Sequence, residues 1–152
     1  MSNLLLKNAT LADGSAVDIE ISGEKISQVA TAGFLKSEAK TQIDCSGLIA
    51  LPGFVDLHTH LREPGYEQSE TVLTGTQAAA LGGFTSVFAM ANTLPVADTA
   101  GVVEQVLRLG DEAGYATVRP IGAVTKGLEG LQLAELGAMA NSRAAVRVFS
   151  DD

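Results

Sequence analysis

Cysteine occurs once and histidine twice in the 152 residues. A lone Cys45 excludes an intrachain disulfide and fits a reducing compartment. Near a strand end it reads as a small buried hydrophobe rather than as a nucleophile. Basic residues are few as well: ten Lys and Arg stand against eighteen Asp and Glu, for a net charge of −8. Such a chain repels a phosphate backbone, which argues against nucleic-acid binding. No apolar run approaches the ~18 residues of a membrane span. The N-terminal "MSNLLLKNATLADG" has neither a basic stretch nor a long apolar core, so no signal peptide is expected and the cytoplasm is the default location. Charged residues total 18%, below the roughly 25% usual for soluble proteins. That shortage implies a surface largely covered, by a partner or by more of the same protein.

What is present is apolar and patterned. At 46% hydrophobic the chain can bury a substantial core. Its first 50 residues read as strands and turns: "NLLLKNATL", a turn at Asp13–Gly14, alternation at Val17, Ile19 and Ile21, a turn at "SGEK", and a further pair of segments in "KTQIDCSGLIALPG". This predicts a small antiparallel β unit, too thin to hold a core alone. From Leu51–Pro52–Gly53 the pattern changes. "FVDLHTH", "FTSVFAM", "TVRPIGAV" and "AAVRVFS" read as strands, the last three apolar almost throughout, as when both faces are covered. Between them, "SETVLTGTQAAALGG", "TAGVVEQVLRLGDEAG" and "GLEGLQLAELGAMA" read as helices, with Ser69 as N-cap and Gly82–Gly83 as stop of the first. The alternation predicts an α/β fold with a parallel sheet. Four such units are half of an eight-stranded barrel; a four-stranded doubly wound sheet is the alternative. The half barrel is preferred because active groups fall at several strand ends.

Both histidines lie in "GFVDLHTHLREPG". Residues two apart on a strand share a face, so Asp56, His58 and His60 project together. Two imidazoles so placed can grip one metal ion; on a solvated strand they would merely decorate it. Asp56 is read either as an acceptor that orients a ligand imidazole or as a hydrogen-bonded structural carboxylate. Arg62 offers a planar fork suited to a carboxylate, or else a surface ion pair. Asn92, in "AMANTLP", lies just past the second strand, where barrel enzymes place substrate contacts; alone it reads as a turn residue. The fourth strand ends in Asp151 and Asp152. In a closed barrel a carboxylate there can reach a metal held at the first strand, whereas without closure "SDD" is a solvated terminus. No Gly-rich phosphate loop is present, and no Ser-His-Asp set, because both histidines are already placed.

The segments "LPGFVDLHTHLREPGYEQSET", "GTQAAALGGFTSVFAMANTLPVADT" and "VFSDD" resemble bacterial metal-dependent dihydroorotases of the amidohydrolase superfamily, over about the first third of a family member. The "HTH" pair alone would mark only the wider superfamily. The resemblance implies that residues 1–51 are the N-terminal part of a small β-sandwich domain, and residues 52–152 the first four β/α units of a TIM barrel. It implies one or two Zn2+ ions per complete site and interconversion of N-carbamoyl-L-aspartate and L-dihydroorotate in de novo pyrimidine synthesis. His58 and His60 match metal ligands. Arg62 and Asn92 match the holders of the substrate carboxylate, and His60 also lies close to the substrate. Asp152, favoured over Asp151, matches a carboxylate ligand at the reaction centre. One departure is Ala91, where the family usually has proline. The remaining histidine ligands and the general base are expected beyond Asp152, so the chain alone is expected to be inactive. The partner implied is a small-molecule substrate, with no nucleic acid and no membrane; a homodimer and association with aspartate transcarbamoylase remain open. Two alternatives stand beside this one. One is another cyclic amidohydrolase (dihydropyrimidinase, hydantoinase or allantoinase). The other is a non-catalytic structural partner of aspartate transcarbamoylase, against which the retention of His58, His60 and Arg62 argues.

Overall fold

A computed structural model describes residues 3–151. The chain divides into two compact units at Pro52/Gly53. In the first, short alternating segments become β1 (Asn3–Leu11), β2 (Ala16–Ser22), β3 (Lys25–Thr31), β4 (Thr41–Asp44) and β5 (Ile49–Ala50). Their order is β3-β2-β1-β4, with β5 also on β1. β1–β2 and β2–β3 are antiparallel, as their tight turns require. The expectation of an all-antiparallel unit is corrected at β4 and β5, which both run parallel to β1. Residues 32–40 carry the chain back to the starting end of β1, and such a return crossover makes the next strand parallel. Ala9, Val17, Ile19 and Cys45 form the buried cluster here.

One buried carboxylate organises this unit. Asp18 accepts from the Asn8 N–H at 2.9 Å and the Gly33 N–H at 2.8 Å. Asn8 has a φ of 60° where the β1–β2 register shifts, between Leu6 and Ala9. Its N–H, turned out of the ladder there, is paired by the carboxylate instead. The Asn8 bond is the main cause holding the Asp18 carboxyl below the usual carboxylate range, against the opposing effect of burial.

The second unit is α/β. β6 (Phe54–Thr59), β7 (Phe84–Ala89) and β8 (Thr117–Pro120) form a parallel sheet in that order, with α1 (Val72–Leu81) and α2 (Ala100–Ala113) as the connecting helices. Val102, Val103, Val106 and Gly110 recur on the buried face of α2 at helical spacing. At Gly110 the helix approaches β8 so closely that an added Cβ would stand 2.5 Å from the Val118 Cβ. Leu61, Val72, Val87, Ala89, Val106 and Val118 form one core, and Ala91, Val103, Ala123, Met139 and Val146 are centres of a second. The sheet is not covered on both faces among the described residues: Phe54, Val55, Leu57 and Arg119 are exposed. No helix among the described residues is long and apolar enough to cross a membrane.

Three element expectations are corrected. α1 begins after Thr71, not Ser69. Thr71 is extended, and its hydroxyl accepts the Thr74 N–H while the Thr74 hydroxyl bonds back to the Thr71 N–H. Ser69 is instead drawn into a turn, donating its N–H to the Tyr66 carbonyl at 2.9 Å. The third helix, expected across residues 127–140, is only α3 (Leu136–Asn141), preceded by a 3₁₀ turn at Lys126–Leu128. Leu128 has a φ of 62°, and Thr125 bridges Leu133, so this backbone is spent on a small hairpin. The fourth strand, expected over residues 144–150, is a single parallel bridge between Gly122 and Phe149. Ala145, at a φ of 46°, interrupts the extended run.

Candidate metal and substrate site

The candidate residues collect at the C-terminal ends of β6 and β7. The sheet ladder continues past both strands: the Met90 N–H donates to the Thr59 carbonyl at 2.9 Å, and the Ile121 N–H to the Ala89 carbonyl at 2.8 Å. This fixes His58 and His60 on one side and Asn92 on the other to a common frame. His58 Nε2 lies 3.2 Å from His60 Nε2, with the ring planes 69° apart. His60 Nδ1 lies 2.9 Å from Asn92 Oδ1. His58 is exposed, and His60, Asn92 and Arg62 are half-buried.

The Nε2–Nε2 spacing can be tested against a zinc ion. Two nitrogens bound at roughly 2.0–2.1 Å with a tetrahedral angle stand about 3.3 Å apart. The observed 3.2 Å matches that bite, so the two imidazoles fit a metal as a pair. Among the described residues no third His, Cys, Asp or Glu joins them. Asp152 lies outside the described residues.

Asp56 Oδ1 accepts the backbone N–H of His58 at 3.0 Å. Asp151 is also engaged structurally. Its carboxylate accepts from the Val124 N–H (2.9 Å), the Thr125 N–H (3.0 Å) and the Thr125 hydroxyl (2.6 Å). The Thr125 hydroxyl is the largest cause of the lowering of its pKa from the ordinary carboxylate value. Asp151 is thus bonded to the loop after β8.

Residues that sequence reasoning passed over build the loop carrying Arg62. Arg62 itself has a φ of 63°, a strained conformation for a side-chain-bearing residue that a surrounding structure must hold. Several contacts supply that hold. The Arg62 carbonyl accepts the Tyr66 N–H at 3.0 Å, and Glu63 Oε2 accepts the Val72 N–H at 2.8 Å. A carboxylate at that point caps the start of α1 and suits the positive end of its dipole. The Leu94 N–H donates to the Pro64 carbonyl at 2.9 Å, joining this loop to the one that carries Asn92. At Gly65, with a φ of 102°, an added Cβ would stand 2.3 Å from the Leu94 carbonyl oxygen. Only glycine allows that approach. The segment "REPG" carried this signal in its Glu and Gly, but their partners lie in distant segments.

Residues 47–152 match the family model described as dihydro-orotase-like. A dihydroorotase of Leifsonia xyli is 71% identical over 97% of this chain and 33% of its own length. A dihydroorotase of Mycobacterium tuberculosis is 48% identical over the whole chain and 35% of its own length. The chain therefore spans about a third of the length of the curated relatives it matches. Among solved structures, an L-hydantoinase from Arthrobacter aurescens shares the fold at a TM-score of 0.70 and 24% identity, over 84% of this chain and 29% of its own. A dihydropyrimidinase from Brevibacillus agri matches at a TM-score of 0.58 and 28% identity, over 81% of this chain and 27% of its own. The chain belongs to the dihydroorotase-like family.

Proposed function

We propose that the whole protein is a zinc-dependent dihydroorotase that interconverts N-carbamoyl-L-aspartate and L-dihydroorotate in pyrimidine synthesis. The observation that carries this reading is the His58–His60 pair, with its two Nε2 atoms 3.2 Å apart beside Asn92. In this reading His58, His60 and Asp152 hold the metal, and Asp152 also belongs to the reaction centre. The engagement of Asp151 by Val124 and Thr125 supports the choice of Asp152. Zinc bound there supplies an acidified water and a polarised carbonyl. The chain's own contribution is orientation. Arg62 and Asn92 hold the substrate carboxylate, Arg62 through its planar fork, and so orient the ring to be opened.

Residues 1–51 belong, in this proposal, to a small β-sandwich domain, and residues 52–152 are the first four β/α units of a TIM barrel. In this proposal the 152 residues alone are inactive, because His58, His60 and Asp152 are fewer ligands than the complete site requires and the general base is not among them. The full-length protein works in the cytoplasm; a homodimer and association with aspartate transcarbamoylase are tested by light scattering with and without that partner.

A second reading, a hydantoinase or dihydropyrimidinase, is favoured by the structural likeness to such proteins. The higher sequence identity to dihydroorotases supports the first. The deciding experiment supplies zinc to the full-length protein and compares turnover of dihydroorotate and of hydantoin. Dihydroorotate turnover lost in His58→Ala and His60→Ala is expected. Turnover of hydantoin alone would sink the proposal.

A further inference from the structure

We propose that Asn92 is a positioning residue for the metal site: its Oδ1 holds His60 in the Nδ1–H tautomer, so that Nε2 faces His58 with a bare lone pair. This goes beyond a substrate contact, and it rests on the zinc reading above.

The amide oxygen of asparagine can only accept a hydrogen bond. At 2.9 Å from Asn92 Oδ1, His60 Nδ1 is therefore the protonated nitrogen. A neutral imidazole carries one ring proton, so Nε2 has none. That same Nε2 stands 3.2 Å from its counterpart on His58. A ligand imidazole whose other nitrogen donates to a fixed acceptor is locked in both tautomer and ring orientation.

Asn92 is itself held as a rigid acceptor should be. Its neighbours Ala91 and Thr93 are buried. The Ala91 carbonyl accepts the Ala97 N–H at 3.0 Å, and the Thr93 hydroxyl donates to the Pro95 carbonyl at 2.8 Å. The ladder bond from Met90 to Thr59 joins this turn to the residue directly before His60.

The test uses the full-length protein, with zinc affinity measured by competition against a chromophoric chelator and no substrate present. Asn92→Ala is expected to weaken zinc binding by about 10-fold or more. Asn92→Asp keeps an acceptor for Nδ1–H, so its zinc affinity stays at or above that of the wild type. Its KM for dihydroorotate nevertheless rises, because a carboxylate now faces a carboxylate. In the zinc-free wild type, 15N NMR of the His60 ring should show Nδ1 protonated; Asn92→Ala should show a tautomer mixture. Unchanged zinc affinity in Asn92→Ala, or equal loss in Asn92→Ala and Asn92→Asp, overturns the inference while leaving the zinc reading intact. Wild-type protein that takes up no zinc overturns both.

Discussion

Two glycines of α2 invite the same substitution and should respond with opposite sign. In an exposed helix, Gly→Ala gains up to about 1 kcal/mol of helix propensity. Gly101 is exposed, and an added Cβ there meets nothing within 4 Å. Gly101→Ala is therefore expected to stabilise, by roughly 0.5–1 kcal/mol. Gly110 gains the same propensity but meets Val118, whose Cβ and Cγ2 would lie 2.5 and 2.7 Å from the new methyl. Carbon atoms pack at about 3.5–4.0 Å, so α2 and β8 must separate by roughly 1 Å. The Val118 Cβ is anchored to the backbone of β8 and cannot swing aside. Overpacking of this kind costs about 1–3 kcal/mol. Added to the lost contacts of Val106 and Val118 in the same core, it outweighs the propensity gain. The expected net result for Gly110→Ala is a loss of about 1–2 kcal/mol. Urea unfolding of the two variants beside the wild type measures this directly. A Gly110→Ala protein stabilised as much as Gly101→Ala would refute the close approach of α2 to β8.

Further outcomes follow from single contacts. Asp18→Ala leaves the N–H groups of Asn8 and Gly33 without their acceptor and should cost about 1–3 kcal/mol by urea unfolding. The folded Asp18 carboxyl is depressed, so its stabilisation is full above the ordinary carboxylate pKa and is lost as pH falls through the lower folded value; an acid midpoint equal to that of Asp18→Ala would contradict this. Arg62→Ala removes a charged donor pair from the proposed carboxylate clamp and should raise KM for dihydroorotate by ~10–100-fold, with zinc content unchanged. Asp152→Asn is expected to lose zinc and activity. Asp151→Asn should keep zinc while the loop at Val124 and Thr125 exchanges its amide hydrogens faster; loss of zinc in Asp151→Asn alone would reverse the assignment of the two aspartates.

The legibility of the sequence varied with the range of the interactions. β1 was readable to the residue, because alternation and flanking turns are local signals. So were α2 and its end at Gly114, which takes a left-handed cap. The third helix failed because "LQLAELGAMA" has helical composition, while its backbone groups are claimed by a hairpin and by acceptors far away in sequence. The Gln132 carbonyl takes the Lys126 N–H, the Ala134 N–H goes to the Val124 carbonyl, and the Glu135 N–H goes to the Asp98 carbonyl. The N-cap slipped from Ser69 to Thr71 for a related reason: Glu63 and Tyr66 fix the turn before α1. At the site, the spacing of His58 and His60 marked them as a pair, but spacing could not choose between the roles open to Asp56.

By itself, then, the sequence determined the alternation of strand and helix, the pairing of two histidines at a strand end, and the family. These depend on residue type and on periods of a few residues, which survive without knowledge of any partner. Only the tertiary structure decided the 3.2 Å bite between the Nε2 atoms, the bond from His60 to Asn92, and the meeting of the Arg62 and Asn92 loops at Gly65. Each of those joins side chains or backbone across different strands or loops. Their geometry is set by how β6 and β7 register in the sheet, and no local pattern in the chain encodes that register.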